Sequence, residues 1–592
     1  MRVELERFAV IGDMGTLALV SDAGSVEWFC WPRFDSPSLF GRLLDDDGGH
    51  WTIEPTAIIG ARRQVYLSAT NVIVTRLHTD TGVVEIEDLM AVGNSERALV
   101  RRVRCRRGSV RMRSVMAIRP DYGRRDAIVA IDGGYGAATI DIGAADPLHH
   151  SASVALQAVD GEITTEFDLD EGESAWFAFG EAVLDVDDIA EAVSTTVAYW
   201  HEWTARSTYR GRWREAVERS ALTLKLLTHA ETGGLIAAGT TSVPEVLGGE
   251  RNWDYRYVWI RDAAFTLYAL LELGYDEEAA AFVGWLTKRL QTAAARCRDD
   301  SPGPPLSPLY DLDGNDDLDE ITLDHWSGYA DSAPVRVGNA ASGQMQLDIY
   351  GELIDSLYIA DKQGDGVSID TWNHICTIVD WVIDHWQQPD DGMWEARSGP
   401  QRYTSSLLLC WVAVERAMRM ARHRGRPADV DRWRGARDEM HRTLMERGFN
   451  QGVFTQVLDG DSLDASILLA PLVKVISPTD PMWIATLDAI GDRLARGPLV
   501  DRYDLRDTDD GLTGEEGAFT ICSFWYVEAL AMAGRATEAR DLFDRLLSYA
   551  TPTGLFSEEI GPDGRLLGNF PQAFTHLALI SAAVRLDESL AR

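Results

Sequence analysis

From Phe8 to about Val186 the chain reads as short apolar runs separated by turn residues. Gly15-Thr-Leu-Ala-Leu-Val is followed by Asp22-Ala-Gly and then by Ser25-Val-Glu-Trp-Phe-Cys. Further on come Asn71 to Leu77, Asp80-Thr-Gly, Val83 to Asp88 and Val110 to Met116. Frequent alternation, with Gly-rich turns about every ten residues, predicts an antiparallel β-sandwich. At Ile189 the period changes. A helical run through Tyr199 and Trp203 bridges to a second half built of helices and loops, with apolar residues at i, i+3 and i+4. Twelve helical stretches are predicted there, beginning near 212, 260, 276, 340, 368, 402, 427, 465, 482, 516, 536 and 571. Twelve suits a barrel of six inner and six outer helices. The long connections at 232–259, 296–339, 388–401, 497–515 and 551–570 would then gather at one end. They are rich in Trp, Glu, Asp and Arg, which points to function, as long loops in compact domains do. The predicted division is a sandwich at 1–188, a helical linker at 189–211 and a barrel at 212–592.

Length agrees with more than one domain, since 592 residues exceed the roughly 250–300 at which a single core stops growing. Charge narrows the partners. Lys and Arg number 56 against 93 Asp and Glu, a net −37 that repels phosphate backbones and anionic lipid. Nucleic acid and membrane surfaces are therefore excluded as partners, and a neutral small molecule is not. The six cysteines stand far apart without a Cys-x-x-Cys pair and read as free thiols. Met1 to Phe8 carries alternating charges and no apolar leader core, and no run approaches 18 apolar residues, so a cytoplasmic protein is expected.

The densest constellation is Gly249 to Asp262, which packs four large aromatics, three acids and three arginines into fourteen residues ahead of a helix. A core has no use for that mixture. Asp262 can be read as a helix N-cap, or, with Arg261, as a pair that holds sugar hydroxyls through matched bidentate geometry. In Pro389-Asp-Asp-Gly-Met-Trp-Glu-Ala-Arg, Glu395 follows Trp394. A carboxyl beside an indole sees low dielectric, which favours its protonated, general-acid form; the plainer alternative is a surface glutamate after a turn. In Gly554-Leu-Phe-Ser-Glu-Glu-Ile, Glu558 and Glu559 repel each other, so that one is held by partners and the other is free to polarise water. Two solvated acids in a loop are again the plain alternative. Inverting glycosidases need such an acid and such a base on opposite sides of the scissile bond.

Asp509 to Gly517 is acidic, but its spacing is not that of an EF-hand; Glu515 and Glu516 are read as first-turn residues of a helix. Arg336 and Asn339 offer polar groups to the same loop end. Phosphate-loop, Rossmann, Gly-x-Ser-x-Gly and His-Glu-x-x-His signatures are absent, so nucleotide, serine-hydrolase and zinc-protease chemistry lose support. No cofactor and no metal are expected.

Several long segments carry a family resemblance: IGDMGTLALVSDAGSVEWFCWPRFDSPSLFG, GERNWDYRYVWIRDA, GYADSAPVRVGNAA, DDGMWEARSGPQRYTSS, DDGLTGEEGAFTICSFW and SEEIGPDGRLLGNFPQAFTHLALI. Together they resemble bacterial glycoside hydrolase family 15, which includes glucoamylases, glucodextranases and trehalases. The resemblance spans nearly the whole chain and implies an N-terminal β-sandwich followed by an (α/α)6 barrel. It implies Glu395 as general acid and Glu558 as general base, with Glu559 as rival. It also implies Tyr255 near the reacting centre, Trp259 and Trp394 at the glucose pocket, and Arg261, Asp262 and Arg502 on sugar hydroxyls. Many members carry Ser-Lys after the acid motif, where this chain has Thr404-Ser-Ser-Leu407, which puts the second-sugar subsite in question. The implied activity is inverting release of β-glucose from a small neutral α-glucoside, trehalose slightly favoured. The alternatives are α-1,4 or α-1,6 gluco-oligosaccharides as substrate, an inverting disaccharide phosphorylase, or a non-catalytic sugar-binding protein. A homo-oligomer is left open.

Overall fold

The computed structural model describes residues 3–93, 96–132, 136–299, 301–363 and 366–591. Between Phe8 and Gly180, fifteen antiparallel strands among the described residues form one hydrogen-bonded system folded into a sandwich. Strand Ala98–Ala117 joins its two faces. Ala98–Arg104 pairs with Ser174–Gly180, whereas Ser109–Met116 pairs with Ile163–Asp170 and, on its other edge, with the strand His50–Pro55. The crossing falls at Gly108, whose φ of +73° and the Thr81 carbonyl 2.2 Å from any added Cβ admit no side chain. Inward residues such as Trp51, Ile86, Phe177 and Phe179 fill the sandwich core.

Helix Val186–Ala205 starts from a capping box between Asp185 and Asp188. It joins the sandwich to the helical half. Its Trp203 stacks on Tyr275, centroids 4.0 Å apart, and donates its indole N–H to Glu278 at 2.7 Å.

The helical half is the expected barrel. The inner ring runs Ala263–Glu272, Asp348–Gln363, Thr404–Arg424, a short fourth member, Thr520–Met532 and Ala573–Leu590, and closes where the last packs against the first. Outside stand Arg214–Leu227, Asp276–Arg298, Ile369–His385, Val430–Arg447, Pro481–Arg493 and Ala536–Leu546. Burial explains the sorting. Thr520 through Ala531 are all buried, which needs neighbours on every side, whereas Val430–Arg447 buries only Trp433, Met440 and Leu444. Two predicted starts are corrected. The helix expected near 340 begins at Asp348, because Asn339 caps a separate 3-10 turn, Ala340–Gly343, and extended residues follow it. The stretch at 465 is a 3-10 turn, Ala465–Leu468, continued only by Leu469–Leu472.

The sandwich packs against the barrel's loop end. Trp28 donates to the Gly239 carbonyl at 2.9 Å, and Asn71 to that of Leu222 at 3.1 Å. Arg256 reaches across to the Ser36 carbonyl and the Tyr122 hydroxyl, each at 2.9 Å, while forking onto Asp254 at 2.8 and 2.6 Å. That buried pair anchors the strip 253–261 from which the site is built. No helix among the described residues is long and apolar enough to cross a membrane.

Candidate active site

The loops 232–259, 388–401 and 497–515, with the turn at 339–344 and Phe519, enclose a pocket of about 340 Å³ at the N-terminal ends of the inner helices. That volume is at the small end for ligand pockets. Its walls include Glu245, Trp253, Tyr255, Arg261, Trp394, Glu395, Arg397 and Arg502.

Glu395 sits in a turn at φ +61°, a left-handed conformation that costs a non-glycine residue about 1–2 kcal/mol. The turn is held by Glu395 N–H to the Gly392 carbonyl at 3.2 Å and Ala396 N–H to that of Asp391 at 3.1 Å. One carboxyl oxygen, Oε1, takes both available donors: Trp259 Nε1 at 2.7 Å and Arg261 Nη1 at 3.1 Å. The other is left to the pocket. Arg261 is fixed in turn by the Met393 carbonyl at 2.6 Å and by Asp262, 3.5 Å from its Nε.

Glu558 is fully buried beside the Tyr255 hydroxyl. Its Oε2 accepts the Asn569 N–H at 3.0 Å, and its Oε1 accepts no hydrogen bond. The fit needs a glycine opposite. At Gly568, φ +69°, an added Cβ would stand 2.5 Å from Glu558 Oε2. Burial pushes the Glu558 carboxyl up to about 7, against the pull of Tyr255, the Asn569 N–H and Arg502. Glu559 precedes Ile560 in a two-residue strand, so its side chain leaves on the opposite face, where Gly517 N–H meets it at 2.8 Å. Each of the adjacent glutamates is thus held by one backbone donor, a correction to the expectation that one is held and the other free.

Not every predicted residue faces the cavity. Tyr255, Arg261, Trp394, Glu395 and Arg502 line it. Trp259, 1% exposed, supports Glu395 from behind, and Asp262 stands behind Arg261. Asp262 makes no capping bond to the helix that follows; burial pushes its carboxyl up to about 6. Arg336 serves the wall indirectly. It lies over one face of Trp253, 4.6 Å from the ring centroid, Arg397 lies 4.1 Å over the same indole, and Glu320 bridges the two guanidiniums at 3.2 Å each. Trp394 donates to both oxygens of Asp464, at 2.9 and 3.0 Å.

Contributors given no role in the sequence include Glu245, Trp253, Gln344 and Arg397. The last stands two residues after Glu395 and was the most findable. The reading of Glu516 as a helix-start residue is corrected, because the helix begins at Thr520 and Glu516 instead receives Arg502 Nε at 2.9 Å and Nη2 at 2.5 Å. Glu245, Glu516 and Glu559 bring carboxyl oxygens within 4.8 Å of one another, with Arg502 and Arg251 standing against Glu516.

Glu558, fully buried, lies behind this lining rather than in it; an aromatic-lined pocket with Glu395 in its wall, on an (α/α)6 barrel, has the features of a glycoside hydrolase. The family follows from comparison. Residues 211–584 match the model for glycosyl hydrolases family 15, and residues 1–164 that for a trehalase-like N-terminal domain. The chain belongs to glycosyl hydrolases family 15. It is 39% identical to a trehalase of Mycobacterium tuberculosis, covering 98% of this chain and 89% of that one. It is 32% identical to a trehalase of Thermoplasma acidophilum, covering 96% and 98%. A bacterial glucoamylase crystallised with acarbose shares the fold, with TM-score 0.71 at 10% identity over 99% of this chain and 94% of the other.

Proposed function

We propose that the protein hydrolyses α,α-trehalose with inversion, Glu395 acting as general acid and Glu558 as general base. The observation that carries the reading is the unequal treatment of the two carboxyls. Glu395 keeps one oxygen for the pocket while Trp259 and Arg261 hold the other. As the glycosidic bond breaks, that oxygen gives its proton to the leaving sugar, and the two donors stabilise the carboxylate that develops. Glu558, with a free Oε1 beside Tyr255, draws a proton from the water that attacks the anomeric carbon from the other face. Tyr255, Arg261, Trp394 and Arg502 are assigned to the glucose ring, with Trp259, Asp262 and Arg336 in support. Trehalose is chosen on the likeness to the two trehalases and to the trehalase-like N-terminal model. A cytoplasmic location and the divisions after 188 and 211 belong to the same proposal.

The test incubates the purified protein separately with trehalose, maltose and isomaltose, with and without phosphate, beside Glu395→Gln and Glu558→Gln. Glucose from trehalose, lost in both variants, supports the reading. Preference for maltose or isomaltose would move it to a glucan α-glucosidase, glucose 1-phosphate formed only with phosphate would make it a phosphorylase, and no product from any sugar would refute it.

A further inference from the structure

Behind the pocket lining the protein carries more negative charge than it neutralises. Glu245, Glu516, Glu558 and Glu559 converge there, and two guanidiniums, Arg251 and Arg502, answer them. Arg251 is divided further, because it forks onto Asp510 at 2.7 and 3.1 Å and lies 3.4 Å from Glu516. Arg502 is committed to Glu516 and stands 3.6 Å from Glu245. Two oxygens in the middle of this group, Glu245 Oε2 and Glu559 Oε1, are buried and accept no hydrogen bond. Glu245 is 2% exposed and Glu559 0%. An ionised carboxylate is not left unpartnered at such depth, and a shared proton is the simplest way to satisfy both oxygens.

The arrangement has a local origin. Opposite side-chain faces in the strand at 559 send Glu558 toward Tyr255 and Glu559 toward Gly517 and Glu516. Glu245, steadied by Trp253 Nε1 at 2.9 Å, reaches both groups and is their pocket-facing member. Burial pushes the Glu245 carboxyl up to about 8, with Glu558 and Glu516 adding to the shift and Arg502 and Arg251 opposing it. Burial likewise drives Glu559 upward, reinforced by Glu245, Glu516 and Glu558.

We propose that Glu245 and Glu559 share a proton behind the pocket, and that both are positioning residues which, through that proton, set the charge on Glu558. The inference rests on the assignment of Glu558 as base. The other titratable and charged groups facing the cluster are Arg251 and Tyr255 from the strip before the first inner helix, and Asp501, Arg502, Tyr503 and Asp510 from the loop at 497–515. Cys522 on the fifth inner helix and Glu395 across the pocket complete the set.

The experiment combines kcat/KM profiles against pH with infrared spectra of the protonated-carboxyl stretch, on the full-length protein and its Glu245→Gln and Glu559→Gln variants. Removing one carboxyl lets the others ionise more easily, so the acidic limb of kcat/KM moves down by about one pH unit in each variant. The protonated-carboxyl band at neutral pH loses intensity in both, whereas Glu245→Asp and Glu559→Asp retain it. Variants that unfold at the wild-type temperature yet keep both limb and band overturn the proposal. Should one Gln variant fail to fold, the other carries the same expectation. The infrared readout needs no turnover, so a protein inactive on every α-glucoside counts against the proposed function, and an unchanged band counts against the shared proton.

Discussion

Replacing Trp259 by phenylalanine removes one hydrogen bond and little else. The indole N–H stands 2.7 Å from Glu395 Oε1, and the ring packs on Tyr255 with centroids 5.0 Å apart, a contact that phenylalanine preserves in large part. Residue 259 is 1% exposed, so water cannot replace the lost donor. As Glu395 gives up its proton, Oε1 acquires negative charge, and a hydrogen bond to a charged acceptor is worth about 1.5–3 kcal/mol. Arg261 remains as the second donor to Oε1, which keeps the loss within that range rather than above it. The expected fall in kcat/KM on trehalose is about 10- to 150-fold, with KM nearly unchanged, because the bond strengthens in the transition state. α-Glucosyl fluoride separates this effect from general damage, since fluoride departs with little need of a proton. Steady-state kinetics on both substrates should show the loss on trehalose and less than about threefold on the fluoride. An equal loss on the two substrates, or none on trehalose, would refute the assignment of Glu395 as acid and of Trp259 as its support.

Two further outcomes follow from buried charge. Arg256→Met leaves Asp254, fully buried, without its bidentate partner and cuts the links to Ser36 and Tyr122; the expected cost is about 3–5 kcal/mol, read by urea unfolding, and a cost under about 1 kcal/mol would contradict the anchoring role. Because Glu558 accepts a proton only when ionised, and burial raises its carboxyl to about 7, kcat/KM should fall about tenfold per pH unit below that value. A profile flat from neutral pH down to about 5 would contradict the assignment of Glu558.

Much of the fold was legible because its periods are clean. Alternation marked Ser25–Cys30 and Leu17–Ser21, and i, i+3, i+4 spacing found the barrel helices within a few residues of their starts, apart from the one at Asp348 and the stretch at 465, which is a 3-10 turn and one short helical turn. The strand Ala98–Ala117 was legible only from Val110 on, because Arg101 to Arg107 hides the apolar period; Arg101 is nonetheless fully buried, bonded to Asp88 and to the Trp51 and Gly24 carbonyls. At the site, motif density pointed to the strip 249–262, and the family resemblance to Glu395 and to Glu558 with Glu559 as rival. Neither could reveal Glu245, which meets Arg502 only once distant segments are brought together, or the service of Glu516 to Arg502, made within one irregular loop. Asp262 was left between a cap and a pair with Arg261. Its position before a helix suggests a cap, but its carboxyl turns toward Arg261.

The most direct test of the account is the stereochemistry of trehalose hydrolysis, followed by ¹H NMR in the first minutes before mutarotation. Inversion at one anomeric carbon, with the other sugar leaving unchanged, predicts α- and β-glucose in equal amounts at the start, and no reaction in Glu395→Gln or Glu558→Gln. Initial formation of α-glucose alone would mean retention through a covalent intermediate and would contradict the roles given to both glutamates.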